Sequence, residues 1–391
     1  MIQKRNYIFA VICFLLAIMT LITMFIPKKV VSVNAFENFN VNAKSMCVIE
    51  QSSKRVLLQS NKNLQLPMAS TTKIMTALIA LENCDNLDEQ FLIDNRAVGI
   101  EGTSIYLRKN EKLSMRELLY GLMLNSGNDA AMAIAYKIGN GDEKAFVNLM
   151  NEKLKQLNLT DTHFDNPHGL DSETHYTSSY DLAVITACAM ENDVFCEIVK
   201  TPLKQISAPK EMGTRFVRNK HKLLGKMEGC DGVKTGFTDN ARRCCVTSCV
   251  RDNMRLICVV LNCNDMFLES QKCLEHCFKE YKMQNIIKPY QYIDKTNVDN
   301  GTENSVKLYV KGDFNYPLKQ TEISKIKIET KFDETITAPV KKDTEIGEIK
   351  VFYENDLIYF EKIYTIEEVN EKTITDKIKD IIDNWYMGDI F

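Results

Sequence analysis

The hydrophobic pattern of the chain changes rhythm several times. Residues 44–50 and 54–59 are short runs rich in strand formers, parted by Gln51-Ser52-Ser53, and predict a hairpin. Helical spacing follows. Pro67 and Ser70 open a segment that Ile74 through Leu81 continue. Ser114-Met115-Arg116-Glu117 has the form of a capping box ahead of an apolar-periodic run to Leu124. Residues 129–138 read as the next helix, closed by Gly139. Residues 143–157 place Phe146, Leu149, Met150 and Leu154 on one face, and 179–190 are helical again. Between these, 91–94 and 105–108 are short extended pieces and Asn166-Pro167-His168-Gly169 is a turn. Residues 231–236 lead into a strand, 244–250 and 256–262 make a second hairpin, and 267–281 a closing helix. Strands at both ends with helices between predict an α+β domain, one sheet covered by helices.

The pattern shifts after Met283. Residues 294–304 are polar and turn-rich. Val306, Leu308 and Val310 alternate with polar residues, as do Ile326 and Ile328, and Ile349, Val351 and Tyr353. Leu357 and Tyr359 continue the alternation beyond an Asn355-Asp356 turn. This predicts a small all-β domain. Residues 373–391 return to helical spacing, with Ile374, Ile378, Ile381, Ile382 and Trp385 on one side. The expected organisation is therefore a main domain at 36–285, a linker at 286–304, a β domain at 305–372 and an amphipathic tail at 373–391. The tail suits either docking on the β domain or a membrane surface, although Asp376, Asp380 and Asp383 offset Lys377 and Lys379 and weaken attraction to anionic lipid.

Lys4 and Arg5 precede a charge-free apolar run at 7–26, long enough to span a bilayer. It is also long for a signal peptide, yet Val33 and Ala35 supply small residues for cleavage after Ala35. Residues 1–35 are thus a signal peptide or a retained anchor. In either case the rest of the chain is expected outside the membrane.

With 391 residues, 26% of them charged, and a net charge of -3, there is no basic excess to suggest a nucleic-acid partner. Of 13 cysteines, 12 lie beyond the apolar run, mostly in apolar contexts, and read as small buried hydrophobes. Zinc sets drawn from Cys273, His276 and Cys277, or from Cys244, Cys245 and Cys249, lack a paired Cys-x-x-Cys with a second half. No metal and no cofactor are expected.

The chemistry starts at Met68-Ala69-Ser70-Thr71-Thr72-Lys73. At 3.6 residues per turn Ser70 and Lys73 lie one turn apart on one side. An amine at that distance can take the serine proton only if it is neutral, hence desolvated or crowded by another cation. Alone, the pair fits a capped helix with a surface lysine better than a reactive pair. Two further groups follow in order, Ser126-Gly127-Asn128 and Lys234-Thr235-Gly236.

This ordered trio resembles the motif set of penicillin-recognising serine enzymes. The context Leu124-Asn125-Ser126-Gly127-Asn128-Asp129 resembles the low-molecular-mass D-alanyl-D-alanine carboxypeptidases. So do Asp165-Asn166-Pro167-His168-Gly169-Leu170, the stretch from His175 to Ala183, and the stretch from Asp231 to Thr238. The resemblance implies a five-stranded antiparallel sheet with a helical cluster, followed by a small β domain. It implies removal of the terminal D-alanine from peptidoglycan stem peptides, covalent inhibition by β-lactams, and an extracytoplasmic place of action. Carried onto this sequence, it makes Ser70 the nucleophile, Lys73 its base and Ser126 a proton relay. Asn128 would orient Lys73 and hold a substrate amide. Lys234 and Thr235 would bind the terminal carboxylate, Gly236 would allow close approach, and the amides of Ser70 and Phe237 would form the oxyanion hole. His168 is expected in a structural turn. Arg242 departs from the pattern, since relatives usually have glycine there.

Two rivals stay open on sequence. A serine β-lactamase needs a water-activating carboxylate, for which Glu173 is the candidate, in a setting unlike the lactamase loop. A wall-binding scaffold with a degenerate site conflicts with intact Ser70, Lys73, Ser126, Asn128 and Lys234.

Overall fold

A computed structural model describes residues 39–387. The chain divides into a short N-terminal unit, Met1–Asn40, and a unit Val41–Phe391 that carries everything below. The signal or anchor expected at 1–35 lies outside the described residues.

Strand β1 (Ser45–Glu50) is buried along its length, and β2 (Val56–Ser60) turns back beside it, pairing Val48 with Leu58. The predicted helix at Ser70 starts later. Residues Ala69–Thr72 form a 3-10 turn, and α1 (Lys73–Glu82) follows. The reason is local. Ala69 has a left-handed φ of 49°, and the Thr71 and Thr72 hydroxyls donate back to the Met68 and Ala69 carbonyls at 2.6 and 2.8 Å, which tightens the turn.

Strand β3 (Gln90–Leu92) pairs with β4 (Lys112–Ser114), which runs into α2 (Met115–Leu124). Both halves of the Ser114–Glu117 capping box are present. The extended piece expected at 105–108 joins no sheet, because its Ile105 and Leu107 amides both donate to the Asp129 carboxylate at 3.0 Å. Helices α3 (Asn128–Ile138), α4 (Glu143–Gln156) and α5 (Ser179–Ala189) fall where periodicity puts them. The short α6 (Asp193–Lys200) and the hairpin β5 (Leu203–Ile206) with β6 (Arg215–Arg218) have no counterpart in the pattern reading. They are short, and most of the hairpin's side chains are exposed.

Strands β7 (Cys230–Thr238), β8 (Arg242–Arg251) and β9 (Met254–Leu261) complete a five-stranded antiparallel sheet in the order β2-β1-β9-β8-β7. The Lys234-Thr235-Gly236 group is itself in β7, the sheet's edge. Period-two alternation divides β9 between two faces. Ile257, Val259 and Leu261 join the helical core, while α7 (Met266–Glu280) covers the other face, where Cys258 meets Cys273. Eight cysteines, among them Cys273 and Cys277, are buried. Arg242 has a left-handed φ of 55°, the conformation that glycine adopts at no steric cost, which fits the glycine expected at that turn.

The chain continues through β10 (Tyr281–Ile287), β11 (Tyr292–Asp299), β12 (Ser305–Tyr309), β13 (Phe314–Lys319), β14 (Ile326–Phe332), β15 (Thr335–Thr337), β16 (Glu345–Tyr353) and β17 (Asp356–Thr365). Six of these make a sheet in the order β14-β16-β17-β12-β11-β15, and β10 pairs with β13. Residues 286–304, read as a linker, therefore contain all of β11. Only Thr296 and Val298 of that strand are buried, so its solvated face gives it a linker's composition. The final helix, α8 (Ile374–Met387), leaves Ile374 79% and Ile381 68% exposed, so its apolar stripe is not spent on the β domain.

Arg55, the residue before β2, ties the sheet edge to the β domain. Its guanidinium lies 4.5 to 5.5 Å from the ring centroids of Tyr281, Tyr316 and Tyr353, pairs with Glu322 at 3.0 Å, and donates to the Pro317 carbonyl. Both side chains of the pair are nearly buried. Arg55→Ala is expected to cost roughly 3 kcal/mol in urea unfolding, because Glu322 loses its cation in a desolvated place. A loss below about 1 kcal/mol, the size of an exposed pair, would remove Arg55 from this role.

Candidate active site

Four elements converge. The 3-10 turn brings Ser70, the first turn of α1 brings Lys73, the α2–α3 turn brings Ser126 and Asn128, and edge strand β7 brings Lys234. Ser126 sits at a left-handed φ of 65°, which aims its hydroxyl out of the turn. Asn128 opens α3, and its amide donates to Thr103 O at 2.6 Å.

Lys73 has no exposed surface. Its Nζ lies 3.0 Å from Ser70 Oγ, 2.7 Å from Asn128 Oδ1 and 2.6 Å from the His168 carbonyl oxygen. The two shorter contacts are to oxygens that can only accept. The Ser70 hydroxyl can also donate. A neutral amine would give its two hydrogens to Asn128 and His168 and turn its lone pair to Ser70. Burial, with Lys234 and Lys220 adding to it, drives the Lys73 pKa well below the ordinary lysine value, and Asp129 only partly opposes them.

Lys234, 2% exposed, donates to Ser126 Oγ at 3.0 Å and to Thr235 O at 2.9 Å. Burial, then Lys220, lowers its pKa to about 7. Asn128 is committed on both sides, since its Nδ2 donates to Glu101 O at 2.6 Å while Oδ1 accepts from Lys73. Gly236 is pressed against the Ser70 amide: a Cβ there would fall 2.9 Å from Ser70 N. Phe237 is 59% exposed beside it. It is the His168 carbonyl, not the imidazole, that meets Lys73. Glu173 lies on an exposed turn.

Three supports were not visible in the motifs. Lys220 is the shared neighbouring cation, hidden in a mixed run Asn219-Lys220-His221-Lys222. Asp129 holds the 104–107 loop over the site through Ser104, Ile105 and Leu107. His175 supports the strained residue before Ser70. Its Nδ1 accepts from Asp165 N at 3.0 Å, so the proton is on Nε2, which reaches Thr72 Oγ1 at 2.8 Å, and Thr72 in turn donates to Ala69 O. Gly169 closes the same spot, where a Cβ would lie 2.0 Å from Ala69 O. The left-handed Ala69 is thus held from two sides, and with it the direction of the Ser70 amide.

The D-alanyl-D-alanine carboxypeptidase family model matches residues 30–265, more than half of the chain. This chain belongs to the D-alanyl-D-alanine carboxypeptidase family. Residues 281–371 match the C-terminal domain of penicillin-binding protein 5. The chain is 30% identical over 351 residues to the carboxypeptidase DacF of Bacillus subtilis, covering 88% of this chain and 90% of the relative. Among solved structures it resembles penicillin-binding protein 5 of Haemophilus influenzae, with TM-score 0.70, 26% identity, and coverage of 85% of this chain and 98% of that one. It also resembles the Streptomyces K15 DD-transpeptidase, with TM-score 0.58 and 30% identity over 61% of this chain and 98% of that one. The protein is a serine-type hydrolase that acts on peptidoglycan, the fold is the penicillin-binding serine peptidase fold, and a wall substrate implies work outside the cytoplasm.

The carboxypeptidase holds two imidazoles neutral. Burial, then Lys73, lowers the His168 pKa to about 3, and burial lowers that of His175 to about 4 despite Asp165. The unfolded chain, with histidine near 6.5, binds more protons between those values and pH 6.5, so stability falls as pH drops through this window. His175→Gln is expected to flatten that fall, read as urea midpoints at pH 7 and pH 4.5. An unchanged pH dependence in the variant would show that His175 is not held neutral.

Proposed function

We propose that Ser70 is the acylated serine of this D-alanyl-D-alanine carboxypeptidase and that a neutral Lys73 is its base. The buried Lys73 amine, 3.0 Å from Ser70 Oγ and facing two acceptor-only oxygens, carries this reading. Ser70 Oγ attacks the carbonyl carbon between the last two D-alanines of a stem pentapeptide while its proton passes to Lys73. The developing oxyanion is received by the Ser70 and Phe237 amides, the role that family resemblance assigns them. Ser126, polarised by Lys234 at 3.0 Å, hands its proton to the leaving amine and takes in return the proton that Lys73 received, which restores the neutral amine. Water then cleaves the ester on Ser70. A β-lactam acylates the same serine but leaves no departing group to make room for water.

Lys234 and Thr235 bind the substrate's terminal carboxylate, and Gly236 lets β7 lie against the reacting carbonyl. Asn128 orients Lys73. Its link to Glu101 O leaves it one amide hydrogen for substrate. Outside the site, residues 1–35 act as an export signal or anchor, and the outward isoleucines of α8 support contact with the outer face of the membrane. No helix among the described residues is long and apolar enough to cross a membrane.

The carboxylate role has a pH signature. Lys234 must be protonated to bind an anion, and its pKa in the free enzyme is about 7. For a free-acid pentapeptide, kcat/KM is expected to fall as pH rises above about 7, as the cation is lost. A C-terminally amidated peptide is expected to react roughly ten- to hundredfold more slowly at neutral pH, the worth of one hydrogen bond to a charged group, and to lack that alkaline limb. Equal rates for the two peptides would remove Lys234 from carboxylate binding.

A further inference from the structure

Strand β7, which carries Lys234, begins at Cys230, and directly opposite it on β8 stands Cys249. The Val250 amide donates to Gly229 O at 2.9 Å. A bond from the residue after one partner to the residue before the other marks a non-hydrogen-bonded antiparallel pair. Such pairs hold their Cα atoms about 4.5 Å apart, the closer of the two kinds. That lies inside the roughly 4.4 to 6.8 Å range a disulfide requires. Side chains directly opposite in such a pair stand on the same face of the sheet, so the two thiols share one side.

The partners are unequal. Cys249 is fully buried, with Sγ 3.7 Å from Met227 Sδ. Cys230 is half-buried, so solvent reaches this end of the strand. His221 lies alongside, with Nε2 3.5 Å from Cys245 Sγ and 3.2 Å from Thr247 Oγ1. The Cys249 thiol, and after it His221, favour the Cys230 thiolate against burial. A second couple, Cys258 with Cys273, is fully buried on both sides, and Cys273, then burial, push the Cys258 thiol up.

We propose that Cys230 and Cys249 are a redox-active dithiol that closes to a cross-strand disulfide, with Cys230 attacking and Cys249 resolving. The oxidant is a low-molecular-mass disulfide. The Cys230 thiolate attacks one of its sulfurs, forming a mixed disulfide and expelling one thiolate. Cys249 gives its proton to that thiolate and attacks the Cys230 sulfur, expelling the second thiolate, which takes a proton from water. Two protein thiols are oxidised and one small disulfide is reduced to two thiols. An exported protein meets the compartment in which such couples close. Closure links the first residue of β7 to β8 and restrains the unfolded chain, while the other end of β7, at Gly236, stays against Ser70.

The full-length reduced protein, treated with glutathione disulfide at neutral pH, alkylated and digested, provides the test. The expected product joins the Cys230 and Cys249 peptides, is cleaved by reductant, and raises the urea midpoint. Cys249→Ser should stall with glutathione on Cys230, and Cys230→Ser should carry neither the link nor glutathione on residue 249. Penicillin labelling of both variants reports that they are folded. Alkylation of both thiols after oxidation, a lasting glutathione adduct in the unaltered protein, or a link from Cys230 to another cysteine would overturn the proposal.

Discussion

A lysine amine with no exposed surface must either be held by anions or give up its charge, and no carboxylate hydrogen-bonds Lys73. Keeping an ammonium there would cost several kcal/mol of lost hydration. Burial therefore pushes the amine towards its neutral form, and Lys234 and Lys220 are like charges that add to the push. The other features of the site follow. In the proposed neutral state, Asn128 and the His168 carbonyl would take the amine's two hydrogens and leave the lone pair for Ser70. The Asp129 carboxylate could reverse the balance, but its charge is taken up by Ser104 and the Ile105, Leu107 and Ala130 amides.

The fold serves this arrangement by bringing a sheet edge against a helical cluster. An edge strand has amides to spare, and β7 uses that freedom to lie against the Ser70 turn, with Gly236 removing the one atom that would hold them apart. The turn itself is strained at Ala69, and the surrounding structure maintains it through the His175–Thr72 chain and through Gly169. Backbone strain beside Ser70 and a lysine amine stripped of water are two costs that the same packed core maintains.

Much of this was readable from the sequence because the chemistry sits in short, ordered groups and the core in long periodic ones. Ser70, Lys73, Ser126, Asn128 and Lys234 meet in space as their motifs required, and the Ser114 capping box and the two hairpins formed where turn chemistry placed them. What escaped had no period to find. Helix α6 is two turns long, and β5 with β6 shows most of its side chains to solvent. Strand β11 buries two residues and so resembles a linker. Lys220 and His175 act through the fold, across 147 and 103 positions from the partners they influence, Lys73 and Thr72, and no local pattern reports that.

The charge on Lys73 tests the account most directly. With lysine labelled at its side-chain nitrogen, and Lys73→Arg to assign the signal, NMR titration reads its pKa in the free enzyme. The account predicts a neutral amine signal at pH 7 and a pKa well below the ordinary 10.5. A Lys73 that stays protonated up to pH 9 or above (about the range of a surface lysine) would contradict it.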